Sequence, residues 1–400
     1  MDSELLSLLV IAAVAAAAPL LVDIPHSIRV PVVVVEILAG IVVGPYVLDV
    51  VKPGTIVTFL SQAGLAFLFF LAGMEIDFER IRGRPAKLGL WGWVISFGLA
   101  LAIAGVLQAT GFVLSTLLIG VALSTTAIGT LMPILKDAGE LETPLGPFTL
   151  AAGVAGEFGP ILAISLLLSQ AAGPGVNAVL LIAFAVVAVG LGILALRARP
   201  GRVVRTIERT MHSSGQFAVR LSILILMVLL YLTSKFGLDV VLGAFAAGIV
   251  VGLATKSEEA DPVRSKLEGI GFGFLLPIFF IMAGVTFDLG ALFHSVTSAL
   301  RLPVFLALFL VVRGAPVLLL YREAIPRHDR LPLALTSATA LPLVVAVTQI
   351  GLEEGRMLPE NAAALVGAGM VSVLVFPIAA LQLRGRKVQR DPAAATQEGF

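Results

Sequence analysis

The chain consists of long apolar stretches separated by short clusters of charged residues, proline and glycine. Runs of about 18 or more apolar residues recur from one end to the other, each long enough to cross the hydrocarbon core as an α-helix. Cutting at the charge clusters and Pro/Gly breaks predicts thirteen spans, at 5–22, 31–48, 55–76, 86–109, 113–136, 146–170, 175–196, 215–235, 238–255, 266–288, 302–321, 331–352 and 360–383. The pattern predicts an all-α polytopic membrane protein with thirteen transmembrane helices.

The composition agrees with a chain that lies largely in lipid. Hydrophobic residues make up 58%, charged residues 13%, and the mean hydropathy is +1.04, whereas a soluble domain must cover its exterior with polar groups. The net charge of +1 gives no reason to expect a nucleic-acid partner, and the absence of cysteine excludes disulfides and thiolate metal sites. Because Asp2 and Glu4 precede the first run, we interpret it as a retained span rather than a cleaved signal.

Lysine and arginine are distributed unequally between the two sides of the predicted spans. Most of the 27 basic residues fall in loops on one side, together with the basic tail 384–390. The other side receives only Lys52, Lys235, Arg301 and Arg356. Since cytoplasmic loops carry the basic excess, the N-terminus is predicted outside and the C-terminus in the cytoplasm. The sequence shows no eukaryotic targeting signal, so a multi-pass protein of a cell inner membrane is expected.

Three pairs of similar segments occur in the same order and at a nearly constant offset. They are AGIVVG at 39–44 and 247–252, FLAGMEIDF at 70–78 with FIMAGVTFDL at 280–289, and LSTTAIGTLMP at 123–133 with LTSATALPL at 335–343. Matched spans are seven apart, so they run in opposite directions. This order predicts two inverted six-helix repeats joined by span 7, an architecture typical of secondary transporters. The glycines Gly40, Gly44, Gly248 and Gly252 are also compatible with close helix packing.

Spans 5 and 12 carry matched clusters of hydroxyl side chains in mid-span, each followed by a proline. The members are Ser124, Thr125 and Thr126 before Pro133, and Thr336, Ser337 and Thr339 before Pro342. Interrupted helices in corresponding positions of two halves indicate a transporter site, because unwound backbone there can coordinate a cation. The alternative is that these hydroxyls bond back to the preceding helical turn, as in ordinary membrane helices.

Ionisable residues inside the spans are few. Glu157 lies halfway along span 6, in LAAGVAGEFGPILAISLLLS, and Arg313 lies near the centre of span 11. Intramembrane charges are functional by default, because hydrocarbon penalises the charged form; the alternatives are a structural glutamate and a structural ion pair. Glu36 in span 2 and Arg220 at the start of span 8 are secondary candidates, interpreted as a structural buried pair or, for Glu36, as part of an access path.

The order of these segments resembles the monovalent cation:proton antiporter superfamily, especially its bacterial sodium/proton and potassium/proton branch. The matching pieces are RVPVVVVEILAGIVVGP, GLAFLFFLAGMEIDF, ALSTTAIGTLMPILKDAGEL, LGAFAAGIVVG and FLLPIFFIMAGVTFD. The resemblance implies crossed discontinuous helices, a homodimer and a carboxylate motif in the sixth of thirteen spans, the position of Glu157. Many relatives carry paired aspartates, or an amide followed by aspartate, where this chain has Gly156–Glu157. Many electrogenic relatives carry a lysine where this chain has Arg313.

The resemblance also implies a two-part fold. Residues 1–85 and 213–300 are expected to form a dimer or scaffold domain, and 86–170 and 301–383 the core ion-transport domain. Residues 171–212 would be a linker helix with a basic cytoplasmic loop, and 384–400 a cytoplasmic tail. No nucleotide-binding domain is expected in this chain.

These observations predict a secondary transporter that exchanges Na⁺ or K⁺ for H⁺ in an electroneutral 1:1 ratio. Glu157 would bind the proton and the metal cation alternately, Arg313 would be a fixed counter-charge, and Ser124, Thr125 and Thr126 would complete an oxygen shell. A sodium-coupled symporter of a small organic anion and a gated potassium channel-like protein remain alternatives. An enzyme is not expected, and no cofactor is expected beyond the transported ions.

Overall fold

The computed structural model of the protein describes residues 2–23, 31–76, 81–167, 216–255 and 261–385, with a few positions between 179 and 190. Regular structure in these ranges is helical. The α-helices are α1 (Asp2–Asp23), α2 (Val32–Val43), α3 (Thr55–Met74), α4 (Arg84–Ala109), α5 (Thr116–Leu123), α6 (Ile128–Asp137), α7 (Gly146–Leu167), α8 (Phe217–Lys235), α9 (Val240–Ala254), α10 (Asp261–Ile270), α11 (Leu276–Val285), α12 (Leu289–Phe293), α13 (Val296–Leu320), α14 (Arg327–Ser337), α15 (Pro342–Glu353) and α16 (Pro359–Leu383). A π-helical turn, Gly271–Leu275, joins α10 to α11.

The helices follow the predicted spans closely. Within the described ranges, nine helices are long and apolar enough to cross a membrane, and three shorter apolar helical segments accompany them. Spans 5 and 12 are each divided into two helices, α5 with α6 and α14 with α15. The all-α class and the two discontinuous helices are therefore confirmed. The seventh span, 175–196, lies outside the described residues except for a few isolated positions, and the inverted order of the repeats stays a prediction.

The chain divides into two compact units. One comprises Met1–Leu21, Glu36–Ile76 and Ile161–Thr286. The other comprises Val22–Val35, Asp77–Pro160 and Phe287–Phe400, and it contains both discontinuous helices and Glu157. The assignment of separate scaffold and transport roles to parts of the chain remains a prediction.

Glycines allow two close helix contacts in the first unit. A Cβ at Gly40 of α2 would lie 3.0 Å from the Cα of Gly284 in α11. A Cβ at Gly248 of α9 would lie 2.9 Å from the Cα of Gly73 in α3. The first glycine of each AGIVVG segment thus packs against an Ala-Gly pair in the segments 70–78 and 280–289. The packing interpretation of these glycines is supported, because only a residue without a side chain lets the backbones approach this closely.

Candidate ion-binding site

The first helix break lies between α5 and α6, at residues 124–127. The hydroxyls of Ser124 and Thr125 donate to the carbonyls of Val121 and Ala122, both at 2.9 Å, so they cap the last turn of α5. The backbone amides of Thr126 and Ala127 have their hydrogen-bond acceptors outside α5. Pro133 lies inside α6 rather than at the break. The hydroxyl side chains that cap the end of α5, and not Pro133, therefore lie at this break.

The second break lies between α14 and α15, at residues 338–341. Pro342 occupies the first turn of α15, where its missing N–H costs nothing. A continuous helix would need that N–H, so proline enforces the interruption. The amide of Ala340 instead donates to a side chain of another helix, the Ser372 Oγ of α16, at 3.0 Å.

The two breaks cross and bond directly to one another. The Ala127 amide donates to the carbonyl of Thr339 at 2.8 Å. The Thr126 hydroxyl donates to the carbonyl of Ser337. These contacts satisfy backbone groups that have no intrahelical partner and no water in a bilayer core. Backbone oxygens and hydroxyls of both discontinuous helices are thereby gathered in one small buried region.

Glu157 lies beside this crossing. The Thr126 amide donates to the carbonyl of Gly156 at 2.9 Å, so the first break is bonded to the residue before Glu157. Glu157 itself is 5% exposed in the middle of α7. A buried glutamate therefore directly follows the residue to which the first break is bonded.

Arg313 supplies a fixed positive charge to the same region. It is 2% exposed in α13. Its described hydrogen-bond acceptors are neutral oxygens: Thr126 Oγ1 at 2.9 Å and the Ser337 carbonyl at 3.3 Å from Nε, Ser96 Oγ at 3.3 Å from Nη1, and the Ala152 carbonyl at 2.9 Å from Nη2. The guanidinium therefore links α4, α7, α13 and both breaks, because its planar fork can serve several acceptors at once.

The guanidinium occupies space that a side chain at position 156 would need. A Cβ built on Gly156 would lie 2.5 Å from Arg313 Nη2 and closer still to Thr126 Oγ1. Real Cβ atoms essentially never approach so closely. Glycine at position 156 therefore leaves room for Arg313, since a larger residue before Glu157 would displace the guanidinium.

The predicted hydroxyl residues fall into two groups. Four of them bond back to their own helix, which is the ordinary interpretation of such residues, namely Ser124, Thr125, Thr336 and Thr339. Thr126 instead bridges the Ser337 carbonyl and Arg313. The buried Ser337 hydroxyl has no hydrogen-bond partner among the described residues. Thr126 and Ser337 are therefore the two hydroxyls that distinguish this crossing from an ordinary pair of membrane helices.

The secondary candidates do not form a buried pair. Glu36 is buried in α2, but Arg220 is exposed in the first turn of α8. The prediction that Arg220 is the buried partner of Glu36 is wrong, because the Arg220 side chain is exposed in the helix that begins at Phe217.

Two serines of the site region were not identified from the sequence. Ser96 of α4 bonds to Arg313, and Ser372 of α16 bonds to the second break. Both are fully buried serines within long apolar helices. Isolated serines of this kind are common in membrane helices, so only the tertiary contact reveals what they bind.

Comparison with known proteins places the chain. The family model described as "Sodium/hydrogen exchanger, transmembrane" matches residues 10–381. A putative Na⁺/H⁺ antiporter of Bacillus subtilis is 28% identical over 403 aligned positions, which cover 96% of this chain and 64% of the relative. The chain thus spans somewhat under two thirds of that protein. A probable Na⁺/H⁺ antiporter of Methanocaldococcus jannaschii is 24% identical, with 88% of this chain and 89% of the relative covered.

The fold also matches a solved structure. The sodium proton antiporter MjNhaP1 of Methanocaldococcus jannaschii superposes with a TM-score of 0.65 at 18% sequence identity, covering 96% of this chain and all of the other. That identity is informative about the fold alone. Because the family model extends over far more than half of the residues, the chain belongs to the sodium/hydrogen exchanger family.

Proposed function

We propose that this protein exchanges Na⁺ or K⁺ for H⁺ across a membrane, with Glu157 binding the proton and the metal cation alternately. The observation that carries the proposal is the hydrogen bond from the Thr126 amide to the Gly156 carbonyl. It fixes the first helix break against the residue before a buried glutamate. A carboxylate, backbone carbonyls and hydroxyls are the oxygen donors that suit a hard monovalent cation. Relatives named Na⁺/H⁺ antiporters support the same activity.

Exchange follows from competition for one carboxylate. A proton and a metal cation do not occupy the same carboxylate together, because the proton removes the negative charge that attracts the cation. If only the occupied site crosses between inward-facing and outward-facing states, each crossing with one ion is followed by a return with the other. Ser124, Thr125 and Thr126 would complete the oxygen shell from one discontinuous helix, with Thr336, Ser337 and Thr339 on the other.

Arg313 sets the charge balance of the proposed site. Guanidinium does not release its proton under physiological conditions, so Arg313 contributes the same charge in every step. Glu157 then carries the only change of charge, and it holds one proton or one monovalent cation. The proposed stoichiometry is therefore 1:1 and the exchange electroneutral.

The proposed setting is a cell inner membrane, with the N-terminus outside and the C-terminus in the cytoplasm. The distribution of lysine and arginine between the loops supports this orientation. We also propose a homodimer, on the family resemblance, and no cofactor besides the transported ions.

Transport by purified protein in liposomes tests the proposal. Vesicles that contain a pH dye receive an outward or inward gradient of Na⁺ or K⁺, with the membrane voltage either free or clamped by an ionophore. The expected result is a cation-driven pH change that is insensitive to voltage and is lost in Glu157→Gln. Glu323→Gln is the matched control, because its carboxylate is 93% exposed, and it should transport normally.

Three results would contradict the proposal. Full activity in Glu157→Gln would move the exchanged ions to another group. A pH change that depends on the imposed voltage would contradict the 1:1 stoichiometry, and a cation current without proton movement would point to a channel. A folded protein that shows no pH response to either cation would exclude cation/proton exchange.

A further inference from the structure

Helix α16 is hydrogen-bonded to the second helix break through a buried serine. Ser372 lies in the interior of α16 and is fully buried. Its Oγ accepts a hydrogen bond from the Ala340 amide at 3.0 Å. The same hydroxyl has two acceptors within reach, the Ala340 carbonyl at 3.0 Å and the Gly369 carbonyl at 2.7 Å. One side chain thus satisfies a backbone donor that the interruption of the helix leaves without an intrahelical partner.

Both ends of α16 are anchored within the same unit. At one end the Asn361 amide group donates to the Phe112 carbonyl at 2.9 Å, and Arg301 bonds to both of these residues. At the other end Arg384, which follows the last residue of α16, donates from Nε to Glu140 at 2.9 Å and also pairs with Asp329. Because α16 is held at both ends, Ser372 has a fixed position along the helix. The hydroxyl of Ser372 therefore determines where Ala340 lies.

From Ala340 a short series of backbone contacts leads to Glu157. Ala340 follows Thr339, whose carbonyl accepts the Ala127 amide at 2.8 Å. Thr126 precedes Ala127 and donates from its amide to the Gly156 carbonyl at 2.9 Å. The residue after Gly156 is Glu157. The serine hydroxyl, two crossed helix breaks and the glutamate are therefore connected by successive hydrogen bonds and peptide units.

We propose that Ser372 is a positioning residue for ion exchange, which fixes the crossing of the two breaks by holding Ala340 from α16. It rests on the exchange function proposed above. Ser372 does not contact the transported ion; it determines where the Thr339 carbonyl and the groups bonded to it stand. Without its hydroxyl, the Ala340 amide would be buried with no acceptor, and the break would rearrange to find one.

The test combines a structural readout with a kinetic one. Ser372→Ala should raise deuterium uptake of peptides that cover residues 336–343, because the Ala340 amide loses its acceptor. In liposomes the same variant should raise the KM for the better transported cation about tenfold, with a smaller change in kcat, since displaced oxygens bind the cation less well. Ser372→Cys, which nearly keeps the volume and weakens the hydrogen bond, should lie between wild type and Ser372→Ala.

Ser222→Ala is the matched control. Ser222 is also a buried serine of a membrane helix, but its hydroxyl donates to the Ala218 carbonyl of its own helix at 2.9 Å. Its replacement should leave both readouts unchanged. Unchanged uptake in Ser372→Ala, or a change matched by Ser222→Ala, would overturn the proposal. A fall in kcat with unchanged KM would do so too, because it would mark an ordinary core serine. If wild-type protein drives no exchange, the function fails, and the uptake comparison still decides the role of Ser372.

Discussion

The amide of Ala127 donates a hydrogen bond to the carbonyl of Thr339, so the two discontinuous helices meet backbone to backbone. Each interruption supplies a partner for the other, and neither would be satisfied alone in a medium without water. The guanidinium of Arg313 then bonds to groups of both breaks, Thr126 and the Ser337 carbonyl. Arg313 thus contributes both to the stability of the crossing and to the charge of the site.

Replacement of Arg313 should destabilise the protein strongly. Arg313→Ala removes one donor from each of four buried oxygens, and the loss is expected to be about 3 kcal/mol of unfolding free energy. The unfolding free energy of Arg313→Lys should lie between those of wild type and Arg313→Ala, since one ammonium cannot reach acceptors on so many helices. The melting temperature in detergent measures both effects. Arg322→Ala, at an exposed position, is the control, and an equal shift there would contradict the role of Arg313.

A side chain at position 156 should exclude the guanidinium from the site. Gly156→Ala would place a Cβ 2.5 Å from Arg313 Nη2, so we expect cation-driven transport to fall at least tenfold, about 1.4 kcal/mol of barrier. Gly129→Ala is the matched control, because a Cβ there meets nothing within 4 Å although Gly129 lies in the broken helix α6. The two variants are compared by initial rates in liposomes. Equal rates would show that the site accommodates the extra methyl group.

The glycine contact between α3 and α9 should tolerate no side chain. Gly248→Ala would bring a Cβ within 2.9 Å of the Gly73 Cα, and overpacking of this kind costs about 1–3 kcal/mol. A lower melting temperature is expected. Gly98→Ala, in the interior of α4 with nothing within 4 Å of its Cβ, should melt at or above the wild-type temperature, because alanine favours the helix. The reverse order of the two variants would refute the packing argument.

Glu75, which follows the last residue of α3, should make stability depend on pH. One of its carboxylate oxygens is buried without a hydrogen-bond partner among the described residues. Burial raises the pKa of Glu75 from its ordinary 4.5 to about 7, while Arg264 lowers that pKa and Glu268 raises it. The folded state therefore holds the proton more tightly than the unfolded state. The contribution of Glu75 to stability is then greatest below pH 4.5 and falls by up to about 3 kcal/mol as the pH rises through about 7.

Melting temperatures of wild type and Glu75→Gln across this pH range check the prediction. The variant cannot ionise, so its advantage over wild type should be absent near pH 4.5, should grow up to about pH 7 and should be constant above it. Glu323→Gln, at an exposed position, should show no such growth. A difference between Glu75→Gln and wild type that stays constant with pH would contradict the burial of this carboxylate as the cause.

The sequence was sufficient for the helices and for naming the candidate site residues, since both depend on local patterns. Long apolar runs predict the spans, and the hydroxyl clusters with Pro342 predict the interrupted helices. Glu157 and Arg313 stand out because charges are rare in apolar helices. Which hydroxyls face the crossing could not be predicted. Thr125 and Thr126 are neighbours of the same type, yet one caps its own helix and the other bonds across to Ser337.

Contacts between distant segments were also beyond the sequence. Arg301 was predicted in a loop, but α13 begins at Val296, and the partly buried side chain bonds to the Phe112 carbonyl and to Asn361. Nothing in the local pattern distinguishes it from a solvated loop arginine. Glu36 and Arg220 were likewise interpreted as a pair because both are charged residues in predicted spans, but Arg220 is exposed in the first turn of α8.

The glycine contacts of the AGIVVG segments constrain how this sequence can change over generations. Where backbone rests on backbone, as at Gly40 with Gly284 and Gly73 with Gly248, no neighbour can shrink to admit a larger residue. Elsewhere in the core a bulky replacement can be compensated by a smaller partner, and the two halves are free to diverge. At these contacts glycine is the one residue type that fits. The glycines of the two AGIVVG segments therefore recur at the same positions, Gly40 with Gly248 and Gly44 with Gly252, whatever the residues around them become.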